Sequence, residues 1–166
     1  VDTSPSAAAV RKRPLAVPDI AALRALTGVQ DGQRVSVTEY LSDIAGGHSE
    51  YYWDPARPKS DHTGASVISP TVPWDGSAAS LDDFQHGVGE TDPGGNGCWI
   101  SLAELEKASD WGISPDNPDN LPALLNFIES TRFGSDARYL LCPPLKFDTG
   151  TYNFSGPLEV RARVVF

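Results

Sequence analysis

Asp19-Ile20-Ala21-Ala22-Leu23-Arg24-Ala25-Leu26, followed by Asp31-Gly32-Gln33-Arg34-Val35-Ser36-Val37-Thr38-Glu39-Tyr40, is the stretch that decides the fold class. Ile20, Leu23 and Leu26 recur every third residue and share one helix face. Asp19 stands where an N-cap side chain belongs, and Gly28 where a helix commonly ends. Asp31-Gly32 then turns the chain into a strand, expected over residues 33–41, in which Val35 and Val37 point to one side. A helix followed at once by a strand indicates an α+β unit.

Outward from this core, Gly46-Gly47 breaks the chain. Glu50-Tyr51-Tyr52-Trp53 reads as the returning strand, closed by Asp54-Pro55. Residues 65–69 and 98–102 give a second short strand pair. Between them lies a polar, glycine-rich insertion, residues 73–97, with little periodicity; a loop of that length often carries a contact surface. Ser101 and Glu104 have capping-box spacing and predict a short helix through Ala108. Toward the N-terminus, residues 1–17 are rich in Ala, Ser and Pro around Arg11-Lys12-Arg13. They read as a flexible leader or as an arm that orders against another protein. The organisation expected is a leader over 1–18, a helix-plus-sheet domain over 19–109, and a second region over 110–166.

That second region opens on Trp111-Gly112 and a turn-rich run up to Asn120, a good N-cap, with Pro122 in the first helical turn. Leu121, Leu124, Leu125 and Ile128 form an i, i+3, i+4, i+7 stripe that predicts a helix over 120–132, with Gly134 after its end. Short strands are then expected at 139–142, 150–154 and 158–166, with Pro143-Pro144 as a stop between the first two.

Composition bounds the function. The chain has 166 residues, 40% hydrophobic and 21% charged, which are globular values. Its 14 prolines and 15 glycines cut it into short elements. A net charge of −9 argues against a nucleic-acid phosphate backbone as partner. No run of 18 apolar residues could span a membrane, and no signal segment opens the chain. Cys98 and Cys142 are read as two isolated thiols rather than a disulfide framework. The chain lacks methionine and stops at Phe166 within an apolar, β-branched run, so the expectation is of a protein that continues.

No catalytic, cofactor or metal constellation is read. His48, His62 and His86 lack zinc spacing and are expected to be solvated loop residues. Asp92 to Gly97 reads as a turn, and Gly87-Val88-Gly89 lacks the strand-then-helix setting of a phosphate loop. Asp82-Asp83 with Glu90 reads as an exposed acidic loop rather than a catalytic carboxylate pair. Trp53, Trp99 and Trp111 are assigned to the core; Trp74, inside the insertion, is the candidate for a contact surface.

Two segments resemble a known family. Residues 20–26 and 31–40 with Tyr52-Trp53-Asp54, Val67-Ile68 and Cys98-Trp99-Ile100 resemble the N-terminal module of bacteriophage tailspikes and tail fibres. The usual glycine-rich hairpin is reduced to Gly46-Gly47, and the link before Trp99 is longer. Trp111-Gly112 with Asp119-Asn120, then Pro143-Pro144 and Gly150-Thr151-Tyr152, resemble the start of a pectate-lyase-like right-handed β-helix, with five residues inserted inside its Pro-Pro-Gly-Thr-Tyr turn. Leu158-Glu159-Val160 resembles the strand of the first full coil.

The resemblance implies a small mixed helix/sheet anchoring domain followed by the capping helix and first coil of a right-handed parallel β-helix. A solenoid buries each coil only against the next, so its first coil needs a cap; Leu121, Leu124, Leu125 and Ile128 are expected to supply it. The resemblance further implies a homotrimer, with Ile20, Leu23, Leu26, Val35, Val37 and Trp74 as candidate partner or trimer contacts. It implies attachment to a phage tail or baseplate adaptor protein in the virion. Binding or cleavage of bacterial surface polysaccharide would fall to a C-terminal part beyond residue 166, with no glycanase activity in residues 1–166. The alternatives are a polysaccharide-degrading enzyme, or a carbohydrate-binding module using Trp74.

Overall fold

The computed structural model describes residues 15–42, 44–103, 105–131 and 144–157. Strands β1 (Leu15–Val17), β2 (Arg34–Val37), β3 (Ser49–Pro58), β4 (Val67–Ile68) and β5 (Asn96–Ser101) form one five-stranded sheet in the order β1-β2-β3-β5-β4. β1 runs parallel to β2, and the other pairs are antiparallel. Helices α1 (Ile20–Arg24), α2 (Leu81–Gln85) and α3 (Leu121–Thr131) complete an α+β fold. None of them is long and apolar enough to cross a membrane.

The decisive stretch folds as its pattern predicts. Asp19 Oδ1 accepts the Ala22 N–H at 2.7 Å, while Ser42 Oγ donates to Oδ2 at 3.1 Å, so the cap also ties α1 to the chain after β2. Ile20, Leu23, Val35 and Val37 are fully buried and face Tyr51, Ile68 and Trp99 in one core. β2 ends at Val37 rather than Leu41, because its partner strand begins opposite at Ser49. The Tyr40 N–H turns instead to the Gly46 carbonyl, 2.8 Å away. Gly47 permits that turn: its φ is +81°, and a Cβ there would meet the Ser109 carbonyl and Tyr40 at 2.5 Å.

Several expectations are corrected. The leader is not wholly outside the fold, since Leu15–Val17 is the edge strand β1. Asp54-Pro55 does not close β3, which runs on to Pro58; its register against β5 shifts between Asp54 and Pro58, and Pro55, without an N–H, falls in that irregular stretch. The 73–97 insertion is not structureless: a 3₁₀ turn (Ala78–Ser80) leads into α2, whose Leu81, Phe84 and Gln85 are buried. No helix spans 101–108. Ser101 is the last residue of β5, and its hydroxyl bonds Ala103 O at 3.1 Å and Ser49 Oγ at 3.3 Å, leaving no free cap. The helical turn comes later, as 3₁₀ Ala108–Trp111; Glu104 lies outside the described residues.

α3 forms, but on a different face. Its buried residues are Ala123, Leu124, Asn126 and Phe127, whereas Leu125 is 52% exposed. Phe127 meets Trp111 edge-on, ring centroids 5.2 Å apart, which joins α3 to the same core. Residues 150–154 form no strand; the only pairing of residues 144–157 is an isolated parallel bridge, Lys107 to Lys146. The strands expected at 139–142 and 158–166, Gly134, Cys142 and the Arg11-Lys12-Arg13 knot lie outside the described residues. Cys98 is a buried free thiol, pushed up to about 11 by burial.

Candidate interaction site

Two constellations could carry function: a polar knot beneath the insertion, and an apolar groove beside α3. The knot holds the residue types of catalysis. His62 Nε2 lies 2.7 Å from the Phe84 carbonyl, and its Nδ1 accepts the Ser69 N–H at 3.0 Å. Ser69 Oγ donates to Glu90 Oε2 at 2.6 Å and meets Thr71 Oγ1 at 3.0 Å. Arg24 donates to the carbonyls of Trp74 (3.1 Å), Pro70 (3.4 Å) and Val72, with its guanidinium 5.4 Å over the Phe84 ring.

The imidazole, hydroxyl and carboxylate here are all committed, and in this knot only Arg24 Nε lacks a partner among the described residues. Both His62 nitrogens bond backbone, so no imidazole reaches the Ser69 hydroxyl, which is fully buried. Burial lowers the His62 and Arg24 pKa values. Burial also works to raise Glu90, but bonds from Ser69, Thr71 and the Asp92 N–H outweigh it and hold the carboxyl below its ordinary value. The knot therefore fastens the insertion to the sheet and to α1. It corrects the reading of His62 as a solvated loop histidine; His48 and His86 are exposed, and His86 pairs with Asp82 at 3.2 Å. Asp82 and Asp83 are exposed as expected, while Glu90 is half-buried. Among the described residues no group of three or more His, Cys, Asp or Glu could hold a metal ion.

The groove is built by α3 and the chain at 145–154. Leu124, Ile128, Leu145, Phe147, Asp148, Gly150, Tyr152 and Phe154 line a volume of about 590 Å³. Backbone bonds fix its outer wall at both ends. The Lys146 N–H donates to Glu106 O at 2.7 Å, and the Ala108 N–H donates to Lys146 O at 2.8 Å. Farther on, the Asn120 N–H donates to Asn153 O at 2.8 Å, and Asp119 Oδ1 accepts the N–H groups of Leu121 and Ser155, both at 3.0 Å. Those two bonds, Leu121 first, hold the Asp119 carboxyl below its ordinary value. Phe147 meets Tyr152 edge-on at 5.1 Å and stays 47% exposed. Such an apolar surface is a candidate interaction site.

The expected site residues divide accordingly. Ile20, Leu23, Val35 and Val37 are 0% exposed within one chain, which leaves them no surface for a partner; Leu26 is half-buried. Trp74 stacks on Phe84 at 4.2 Å and 8°, and its Nε1 donates to Ser77 O at 3.1 Å, so it is a packing residue rather than a free platform. Of the four expected cap residues, Leu124 and Ile128 line the groove. Leu121 is half-buried and lies near Gly156, while Leu125 is exposed. Leu145, Phe147, Tyr152 and Phe154 went unassigned in sequence. Their one signal is the alternation of Tyr152 and Phe154 within 150–154, the stretch read as strand; Leu145 and Phe147 lie outside it.

Residues 16–104, more than half of the chain, match the family described as phage tail protein small four-stranded beta-sheet domain. The match runs from β1 through β5 and stops before α3. No curated protein matches the chain. Similar solved structures include tailspike protein gp49 of Acinetobacter baumannii bacteriophage Fri1, a capsular polysaccharide depolymerase (20% identity, TM-score 0.46, 69% of this chain and 17% of that one). Another is Pantoea stewartii WceF, a glycan biofilm modifying enzyme with a tailspike-like parallel beta-helix fold (13%, 0.48, 70% and 14%). A third is tailspike protein 2 of Escherichia coli O157:H7 bacteriophage CAB120 (16%, 0.42, 69% and 12%). The present chain thus spans less than a fifth of each of these proteins. At such scores these likenesses establish no function for it, and the family match does not depend on them.

Proposed function

Since the chain belongs to the phage tail proteins with a small four-stranded β-sheet domain, and so to the virion tail, we propose that it is the N-terminal region of a trimeric tailspike. In this reading residues 19–109 attach the spike to a tail or baseplate adaptor protein. Residues 110–166 begin the β-helix, α3 serving as its cap. The observation that carries this reading is the groove of about 590 Å³ just beyond the family-matched sheet. A solenoid coil needs such an apolar seat at its first turn, because it has no preceding coil to pack on.

Binding or cleaving host surface polysaccharide is assigned to the rest of the protein. The knot around Ser69 supports that division, since its hydroxyl and imidazole are tied into hydrogen bonds that hold the fold. A carbohydrate-binding role through Trp74 is disfavoured, because the Trp74 ring lies against Phe84 rather than open to a sugar.

Size-exclusion chromatography with light scattering tests the assembly. A mass of about 53 kDa, three times the 17.8 kDa chain, is expected for the trimer. A stable monomer at 17.8 kDa would overturn the trimer. Co-sedimentation with tails lacking their spikes then tests attachment: retention of the chain is expected, and its absence from the pellet would refute the anchoring role.

A further inference from the structure

His62 bridges three parts of the fold. It follows the 3₁₀ turn Lys59–Asp61 and grips both α2 and the residue after β4. The Ser69 N–H points at Nδ1, which must therefore carry a lone pair. The Phe84 carbonyl is only an acceptor, so Nε2 must carry the proton. One state of the ring satisfies both contacts: the neutral Nε2–H tautomer. A proton on Nδ1 would set N–H against N–H at 3.0 Å.

Burial opposes the charge of an imidazolium here. The Phe84 carbonyl, which accepts from Nε2–H in either charge state, favours the imidazolium, but the rest of the surroundings offer it little. Glu90, on the loop after α2, favours it, but that carboxylate is already held by Ser69 Oγ and the Asp92 N–H. Arg24, from α1, opposes it. The ring also packs edge-on against Phe84 at 5.0 Å and 73°, so that any movement of the ring disturbs α2.

We propose that His62 is a proton-sensitive latch: a proton on its Nδ1 breaks the grip on Ser69 and lets the chain at the end of β4 open from the ring, which stays bound through Nε2–H to the Phe84 carbonyl of α2. Arg24 keeps its hold on the carbonyls of Pro70, Val72 and Trp74, so the opening stops short of residue 70. Opening leaves the Ser69 N–H without its acceptor.

Hydrogen exchange on the chain tests the latch between pH 7.5 and 5. The amide to follow is Ser69, whose N–H bonds His62 Nδ1 across the latch. After correction for intrinsic exchange, wild-type opening should rise about tenfold per pH unit as pH falls from about 6.5, the value of an open ring, and level off below the folded-state titration of His62, the signature of one proton. His62→Gln keeps a donor and an acceptor but gains no proton, and its opening should be flat with pH. A flat wild-type profile, or the same slope in His62→Gln, would overturn the proposal. NMR of the wild-type His62 ring decides the matter even where the variant does not fold. The latch requires the Nε2–H tautomer at neutral pH and a ring titration that coincides with amide opening; an Nδ1–H tautomer, or titration without opening, refutes it.

Discussion

Replacing Asn120 should cost far more than its polar character implies. The side chain is 0% exposed, at the start of α3. Its Oδ1 accepts the Ser114 N–H at 2.8 Å, and its Nδ2 donates to Ser114 O at 3.0 Å and to Asn153 O at 3.3 Å. In Asn120→Ala the Ser114 N–H loses its acceptor in a residue only 5% exposed, a penalty of roughly 1–3 kcal/mol. The two carbonyls keep other partners, Asn117 N–H and the Asn120 N–H, so each lost bond there removes only about 0.5–1 kcal/mol. Together the variant should lose about 2–5 kcal/mol. With a urea slope of roughly 1–3 kcal/mol per molar, the denaturation midpoint should fall by at least about 0.7 M at unchanged slope.

Asn120→Asp separates hydrogen bonding from volume. It keeps the acceptor for Ser114 but turns a carboxylate oxygen toward two carbonyls. The folded-state pKa of this carboxyl is therefore raised above its unfolded value. The variant should be most stable below about pH 4, and that stability should be lost as pH rises from there through the folded pKa. A midpoint within about 0.2 M of wild type for Asn120→Ala, or a pH-independent deficit for Asn120→Asp, would show that Asn120 does not knit these segments.

Two further outcomes are expected. Leu125→Glu should change stability by less than about 0.5 kcal/mol, whereas Phe127→Ala should lose about 3–5 kcal/mol, both read by urea denaturation; the reverse order would refute the buried face assigned to α3. At high pH, Tyr40 and Tyr51 are fully buried, and burial raises both phenols above their ordinary value. Their stabilisation is complete below about pH 10, the unfolded value, and declines as pH rises toward the folded values, by up to about 1.4 kcal/mol per pH unit for each tyrosine. Urea midpoints between pH 8 and 11 that stay level would contradict this.

The elements legible in the sequence are those in which several side chains repeat one instruction. α1 shows three apolar residues at helical spacing plus a capping aspartate, and β2 shows the Val35–Val37 alternation. α3 is long enough to declare a period, although its apolar residues cover more than one face. Leu125 therefore looked as good a core position as Phe127 until Trp111 was in place against the latter. α2 could not be read in this way: five residues present two apolar positions, Leu81 and Phe84. Ser101 and Glu104 had the right spacing for a cap, but Ser101 is claimed by the β5 ladder. His62 gave no local sign either. Its role comes from Ser69 and Phe84, which only the folded chain brings to it.

The groove follows a different rule from the core. Apolar attraction packs Tyr152 and Phe154 partly against the core but leaves Phe147 outside it. The outer wall is also suspended from fixed points, Glu106 and Ala108 at one end and Asp119 and Asn120 at the other. These are directional bonds, mostly between backbone groups, and they set its distance from α3 regardless of what apolar burial would prefer. Holding Phe147 nearly half exposed is unfavourable for an isolated chain. A fold that spends hydrogen bonds on keeping an apolar cleft open has the geometry of a surface awaiting a second apolar surface. Asn120 bonds to that wall as well as to the core, so the substitution that weakens the fold should also let the wall move. In the trimeric tailspike reading, Asn120→Ala should therefore loosen the seat of the β-helix before the sheet itself unfolds.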